Sequence, residues 1–147
     1  MATVALEVEE VLAAGESIVA APPEGAEPAL LRLIWQYYDH SLEYLSKAMW
    51  RDAMAISIQE PHTPHGRRYA ALDARLADQV ARLVARLLDR GSAAPDLDAV
   101  ALGQLLFNNL NAMFIEFVKD DAMTLDHLKA RVAAQTKALA RLLESRP

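Results

Sequence analysis

From Ala99 to Ile115 the chain carries no charged side chain, while Gln104, Asn108, Asn109 and Asn111 sit among Val100, Leu102, Leu105, Leu106, Phe107, Leu110, Met113 and Phe114. A helix that is apolar on nearly every side has to be covered on nearly every side. The stretch is too short and too rich in amides for a membrane span, which needs roughly 20 mostly apolar residues. Protein must therefore provide the cover, and part of it is expected from a second copy of this chain.

The rest of the sequence fits that demand. At 147 residues a single domain over 1–147 is expected, able to bury ~70% of the surface its unfolded chain exposes. Apolar residues make up 53% and charged ones 24%. With abundant Ala, Leu, Glu and Arg and few strand-like runs, the chain reads as all-α. A net charge of −5 gives no basic field for nucleic acid, so direct DNA or RNA contact is not expected of these residues. There is no cysteine, which excludes disulfides, thiol catalysis and cysteine-bound zinc. Glu7, Glu9 and Glu10 interrupt the apolar run that a signal peptide would need, so a cytoplasmic location is expected.

About six helices follow from the spacing of apolar residues and from stop and start signals. Thr3 is placed to cap the first, with Val4, Val8, Val11, Leu12, Ile18 and Val19 at helical spacing, one acidic face, and Pro22 and Pro23 as the stop. The second begins near Glu27 and Pro28 and carries the stripe Leu31, Ile34, Trp35, Tyr38, Leu42, Leu45 and Met49. A break near Ser46 separates it from a third helix ending about Gln59. Thr63 followed by Pro64 is a start signal for the fourth, a hydroxyl cap and then a ring where no amide hydrogen is needed. Its stripe of Tyr69, Leu72, Leu76, Val80, Leu83 and Leu87 runs to Gly91, a left-handed cap. Asp96 is expected to cap the uncharged fifth helix, which ends around Lys119 and Asp120. Thr124 caps the last, where Leu125, Leu128, Val132, Gln135, Leu139 and Leu142 step by three and four as a seam for a partner helix.

The Val-Leu-Ala-Ala-Gly-Glu run from Val11 to Glu16, the stretches Leu30 to Tyr38 and Tyr69 to Gly91, Pro95-Asp96-Leu97-Asp98 opening the apolar helix, and the closing helix Leu125 to Leu143 come in a telling order. Over essentially the whole chain this order resembles the C-terminal effector-binding and dimerisation domain of the tetracycline-repressor (TetR) family of transcriptional regulators. The resemblance implies a bundle of about six helices, and a homodimer in which the last two helices pair with the same two of a second subunit. It also implies a small-molecule pocket inside each subunit, and a helix-turn-helix unit of roughly 45 to 50 residues ahead of the first helix. These 147 residues begin at what matches the family's connecting helix. DNA is thus expected to be reached only through an attached N-terminal domain absent from this chain, which leaves open a truncated chain, a start placed too late and a stand-alone effector domain.

Candidate sites follow from residue type and direction. Trp35, Tyr37, Tyr38, Tyr44, Trp50 and Tyr69 are six of the nine aromatics and lie within one third of the chain. Tyr and Trp carry polar handles that a plain core does not need and that a pocket for a flat ligand uses. The expected pocket is therefore lined by Trp35, Tyr38, Leu42, Trp50, Met54, Tyr69, Leu72 and Leu76. On the uncharged helix, ~100° per residue puts Asn109 on a stripe with Leu102, Leu105, Leu106, Met113 and Phe117. That stripe is expected to face the core, adding Leu106, Asn109, Met113 and Phe117 to the pocket. Asn108 falls instead with Ala101, Gln104, Ala112 and Ile115, small and amide residues suited to close approach of a twin helix. The expected dimer interface combines these with Leu125, Leu128, Val132, Gln135, Leu139 and Leu142.

Other constellations carry less. Glu60, His62 and His65 lie in a Pro-containing segment rather than on one helical face, so no metal is expected there, and no cofactor either. His40 and His127 read as helix-surface or cap residues, and Asp39 and His40, as neighbours on a helix, point apart. No nucleophile with a base, Gly-rich phosphate loop or Glu-x-x-His pair is present, so an enzyme is not expected. The expectation is a homodimeric regulator domain for an apolar or aromatic small molecule, with no membrane partner. The alternative is a stand-alone helical interaction module with a filled core and no ligand.

Overall fold

A computed structural model describes residues 2–43, 45–90 and 96–144, and those residues are all-α. Six helices follow one another: α1 (Ala2–Ala20), α2 (Ala26–Ser41), α3 (Lys47–Gln59), α4 (Pro64–Arg90), α5 (Ala99–Val118) and α6 (Leu125–Glu144). Local chemistry explains most starts. The Ser46 hydroxyl accepts from the Met49 amide at 3.2 Å, that of Thr63 from Gly66 at 3.2 Å, and that of Thr124 from His127 at 3.1 Å. Each such cap is worth about 1 kcal/mol. α2 has no side-chain cap of its own; its Ala26 amide donates instead to Glu144 Oε1 at 2.8 Å, from the far end of α6.

Two expected starts shift. Asp98, not Asp96, caps α5, accepting from Val100 at 3.0 Å and from Ala101 at 3.2 Å. The helix begins at Ala99, so Asp98 is the residue whose carboxylate reaches the amides two and three positions on, whereas Asp96 stands too far back. Thr3 lies inside α1 rather than ahead of it. The stop at Gly91, with Tyr44 and Pro95, falls outside the described residues.

Helix adjacency closes a ring, α1 to α2 to α6 to α5 to α4 and back to α1, with α3 packed on α4 and α5. The tightest seam joins α4 to α5. A Cβ on Gly103 would lie 2.5 Å from Ala81 Cα, so only glycine permits this approach. α3 holds the turn after α5: Arg51 donates to the Val118 carbonyl at 2.6 Å, and Lys47 Nζ to the Asp120 and Met123 carbonyls, both at 2.6 Å. The Val118 carbonyl is at the C-terminal end of α5, where cations are favoured, and the other two belong to the turn that follows. Among the described residues no helix is long and apolar enough to cross a membrane.

α5 is not covered all round. Leu106, Leu110, Met113, Phe114, Phe117 and Val118 are buried, whereas Leu105 is 66% exposed, Val100 59% and Ile115 39%. Leu105 thus leaves the inward stripe assigned to it. The closing helix departs further from expectation. Leu128 and Val132 have no exposed surface, so these two members of the expected dimer seam belong to the subunit's own core, where α6 packs on α2. A three-four seam specifies a partner helix, but not whether that helix belongs to the same chain.

Candidate functional site

Inside the ring, between α1, α2, α4 and α5 and next to Trp50 of α3, lies a cavity of about 90 Å³. Its wall takes Val8 and Val11 from α1, Tyr37, Tyr38 and Ser41 from α2, His65, Arg68, Tyr69, Leu72, Asp73 and Leu76 from α4, and Phe107, Leu110, Asn111 and Phe114 from α5. Because His65 and Arg68 are exposed, the mouth lies at the start of α4.

An aromatic cluster forms the inner wall. Phe114 stacks on Tyr38 with centroids 5.8 Å apart and meets Trp50 edge-on at 5.4 Å. Such pairs add about 0.5–1.5 kcal/mol beyond the area they bury. The polar handles of this cluster are already used. Tyr38 Oη donates to the Leu110 carbonyl at 3.0 Å, and Trp50 Nε1 to that of Ser41 at 2.8 Å. Tyr37 Oη donates to Gln79 Oε1 at 2.5 Å. These donors fix the wall, and burial holds the Tyr37 and Tyr38 phenols well above the usual range.

Gln79 is completely buried and ties the pocket to α1. Its Nε2 donates to the Leu12 carbonyl at 2.9 Å and to Glu16 Oε1 at 3.0 Å. Gly15 makes room for that amide, since any Cβ there would overlap it. Outside this junction Arg82 binds Glu16 through two nitrogens, at 2.6 and 3.0 Å. The Arg82 and Gln79 hydrogen bonds pull the Glu16 carboxyl down to about 2.

Asp73 is the opposite case. Burial alone pushes its carboxyl up to about 6, and no neighbouring cation counteracts the shift. Tyr69, one turn earlier, is driven up by burial and then by the Asp73 charge.

Five of the twelve expected pocket residues line the cavity: Tyr38, Trp50, Tyr69, Leu72 and Leu76. The others lie elsewhere. Trp35 faces α6, with Lys129 Nζ 5.3 Å from its ring centroid, and Leu42 and Met54 pack at the edge of the core. Leu106, Met113 and Phe117 are core residues, Phe117 beneath Lys47 Nζ at 4.0 Å. Asn109 is turned to α6, donating to Gln135 Oε1 at 2.7 Å, so the inward role given to it is corrected. The pocket edge of α5 is the adjacent one, Phe107, Leu110, Asn111 and Phe114. Both edges are apolar, and nothing in the helix's own pattern says which borders a cavity. For Asp73 a signal existed: it lies four residues after Tyr69 and three before Leu76, a charge on an otherwise apolar stripe.

Of the expected interface, Ala101, Gln104, Asn108, Ala112 and Ile115 are exposed along one side of α5. On α6 Leu142 is 62% exposed, Gln135 is exposed but bonded to Asn109, and Leu125 and Leu139 are half-buried. The Asn109–Gln135 and Glu116–Arg131 pairs give α5 and α6 an antiparallel register that brings Leu105 level with the stretch of α6 holding Leu139 and Leu142.

Glu7, Glu10 and His40 gather three possible ligand atoms within 4.8 Å of one another. His40 Nδ1 is hydrogen-bonded to Glu7 at 2.5 Å and its Nε2 faces Glu10 at 3.8 Å. His40 thus reaches across to α1, where Glu7 is buried. Comparison with protein-family models, with curated proteins and with solved structures finds no match to this chain.

Proposed function

We propose that this chain is the ligand-sensing, homodimerising domain of a TetR-type cytoplasmic transcriptional regulator, acting on DNA through an attached helix-turn-helix unit. One observation carries the reading. The pocket wall includes Val8 and Val11 of α1, and Tyr37 in the same wall is bonded through Gln79 to the Leu12 carbonyl of α1. At about 90 Å³ the cavity is smaller than the ~300 Å³ at which ligand pockets usually begin. A ligand therefore enters by displacing its wall, and α1 is part of that wall. A ligand can shift α1 only by binding one position of it better than another, and the Tyr37–Gln79–Leu12 link supplies the differential contact.

The uncharged outer side of α5, continued by Leu142 of α6, supports the homodimer. Exposed apolar surface rimmed by amides is the usual mark of a protein contact. The competing reading is a stand-alone helical interaction module, favoured by that same surface taken without the pocket. A thermal-shift screen of small apolar and aromatic compounds, run beside sedimentation velocity at micromolar protein, separates the two. A sensor is stabilised by some compounds and sediments as a dimer. A dimer that no compound stabilises is the interaction module, and a monomer overturns both.

A further inference from the structure

One charged group in the pocket wall is left without a polar partner. Asp73 projects into the cavity from α4 between Tyr69 and Leu76, and among the described residues its carboxylate has no hydrogen-bond or ion-pair partner. Cations are close along the chain but engaged elsewhere: Arg75 binds Glu9 at 2.7 Å, and Arg68 stands 4.0 Å from the same carboxylate. A half-buried carboxylate without a partner gains a charge-assisted hydrogen bond from a bound cation, and the more the guest closes the cavity over it the more that bond is worth.

The remaining wall suits the same guest. Aromatic faces attract cations through their ring quadrupoles, and Tyr69, Phe107 and Phe114 line the cavity that Asp73 enters. An anionic ligand meets the reverse: Asp73 repels it, and the Arg68 at the mouth is exposed and already faces Glu9. Taking the pocket as a ligand site, we infer that it selects organic cations, compact aromatic or apolar bodies bearing one protonated amine, with the ammonium held by Asp73.

Three small probes on nearly one skeleton test this: phenethylamine, 2-phenylethanol and phenylacetate, titrated at pH 7.5 into the purified chain and into Asp73→Asn, with tryptophan fluorescence and calorimetry as readouts. Phenethylamine is expected to bind at least about tenfold more tightly than the alcohol, and phenylacetate weakest. Asp73→Asn should abolish the preference for the amine while leaving the alcohol's affinity within about threefold. Equal binding of amine and alcohol by the native chain, or an amine preference that survives in Asp73→Asn, overturns the inference and leaves the pocket standing. Binding of none of the three at millimolar concentration overturns the pocket reading and this inference together.

Discussion

α4 and α5 share the closest seam in the molecule, yet their solvent sides differ in kind. Along α4, arginines reach back to α1 in step: Arg75 to Glu9, Arg82 to Glu16, Arg86 to the Ala20 carbonyl, and Arg90 to the carbonyls of Pro22 and Pro23. The first three pairs are each 66 residues apart, so α1 and α4 run parallel and in register. The outer side of α5 has no such partner. Val100, Ala101, Gln104, Leu105, Asn108, Ala112 and Ile115 face solvent without a charge among them. A row of exposed ion pairs and arginine–carbonyl bonds holds a helix that can slide or loosen, because each contact is weak and solvent replaces it readily. An uncharged face gains only from being covered. Under the proposed function, this contrast puts movement at the α1–α4 edge and association at α5.

The largest effect is expected from charging the α5 side. Leu105→Glu combined with Leu142→Glu places two carboxylates where a second subunit would bury them, and should raise the dimer dissociation constant by at least ~100-fold, about 3 kcal/mol. Sedimentation velocity over a dilution series reads this, with the melting curve of the monomeric fold as control. A dimer unaffected by both changes removes the contrast, since association would then use another surface. The shared seam should respond less, and differently. Gly103→Val forces Ala81 away and is expected to cost about 1–3 kcal/mol of fold stability, lowering the thermal midpoint. If this variant melts like the native chain, α4 and α5 are not rigidly joined, and their outer sides cannot be compared as two faces of one unit.

The same contrast explains what could be foreseen from the sequence. Helix number and most boundaries were legible because they depend on local chemistry: Ser46, Thr63 with Pro64, and Thr124 declare themselves without any tertiary partner. The division of α5 was half legible. Ala101, Asn108 and Ala112 were separable from the core by their direction, but the two apolar edges that face the pocket and α6 carry the same residue types, and Asn109 was assigned to the wrong one. Leu128 and Val132 form a seam whose partner, α2, lies far away in sequence. The α4–α1 ladder was not legible, since arginines on an outer face read as ordinary solvated charges until the parallel register of α1 is known. Gln79 was hidden for the same reason: an amide on α4 gains its role only from Leu12, Glu16 and Tyr37.

The smallest expected effect lies on the ionic edge, and its pH dependence makes it measurable. Glu16 is held low, at about 2, first by its hydrogen bond from Arg82 and then by that from Gln79. A carboxyl depressed in the folded state adds stability that is complete above its unfolded value near 4.5 and is lost as pH falls toward 2. Because the pair is largely exposed, solvent and salt reduce its worth to under ~1 kcal/mol. Arg82→Met should therefore lower stability only slightly at pH 7, by less in 1 M salt than at low salt, and the gap from the native chain should close between about pH 4.5 and 2. The Gln79 bond to Glu16 remains in this variant, so some depression of the carboxyl should survive, which two-dimensional NMR titration of Glu16 can read directly. Should Arg82→Met instead cost several kcal/mol at every pH, the α1–α4 edge is a rigid joint, and movement would have to be sought in another helix.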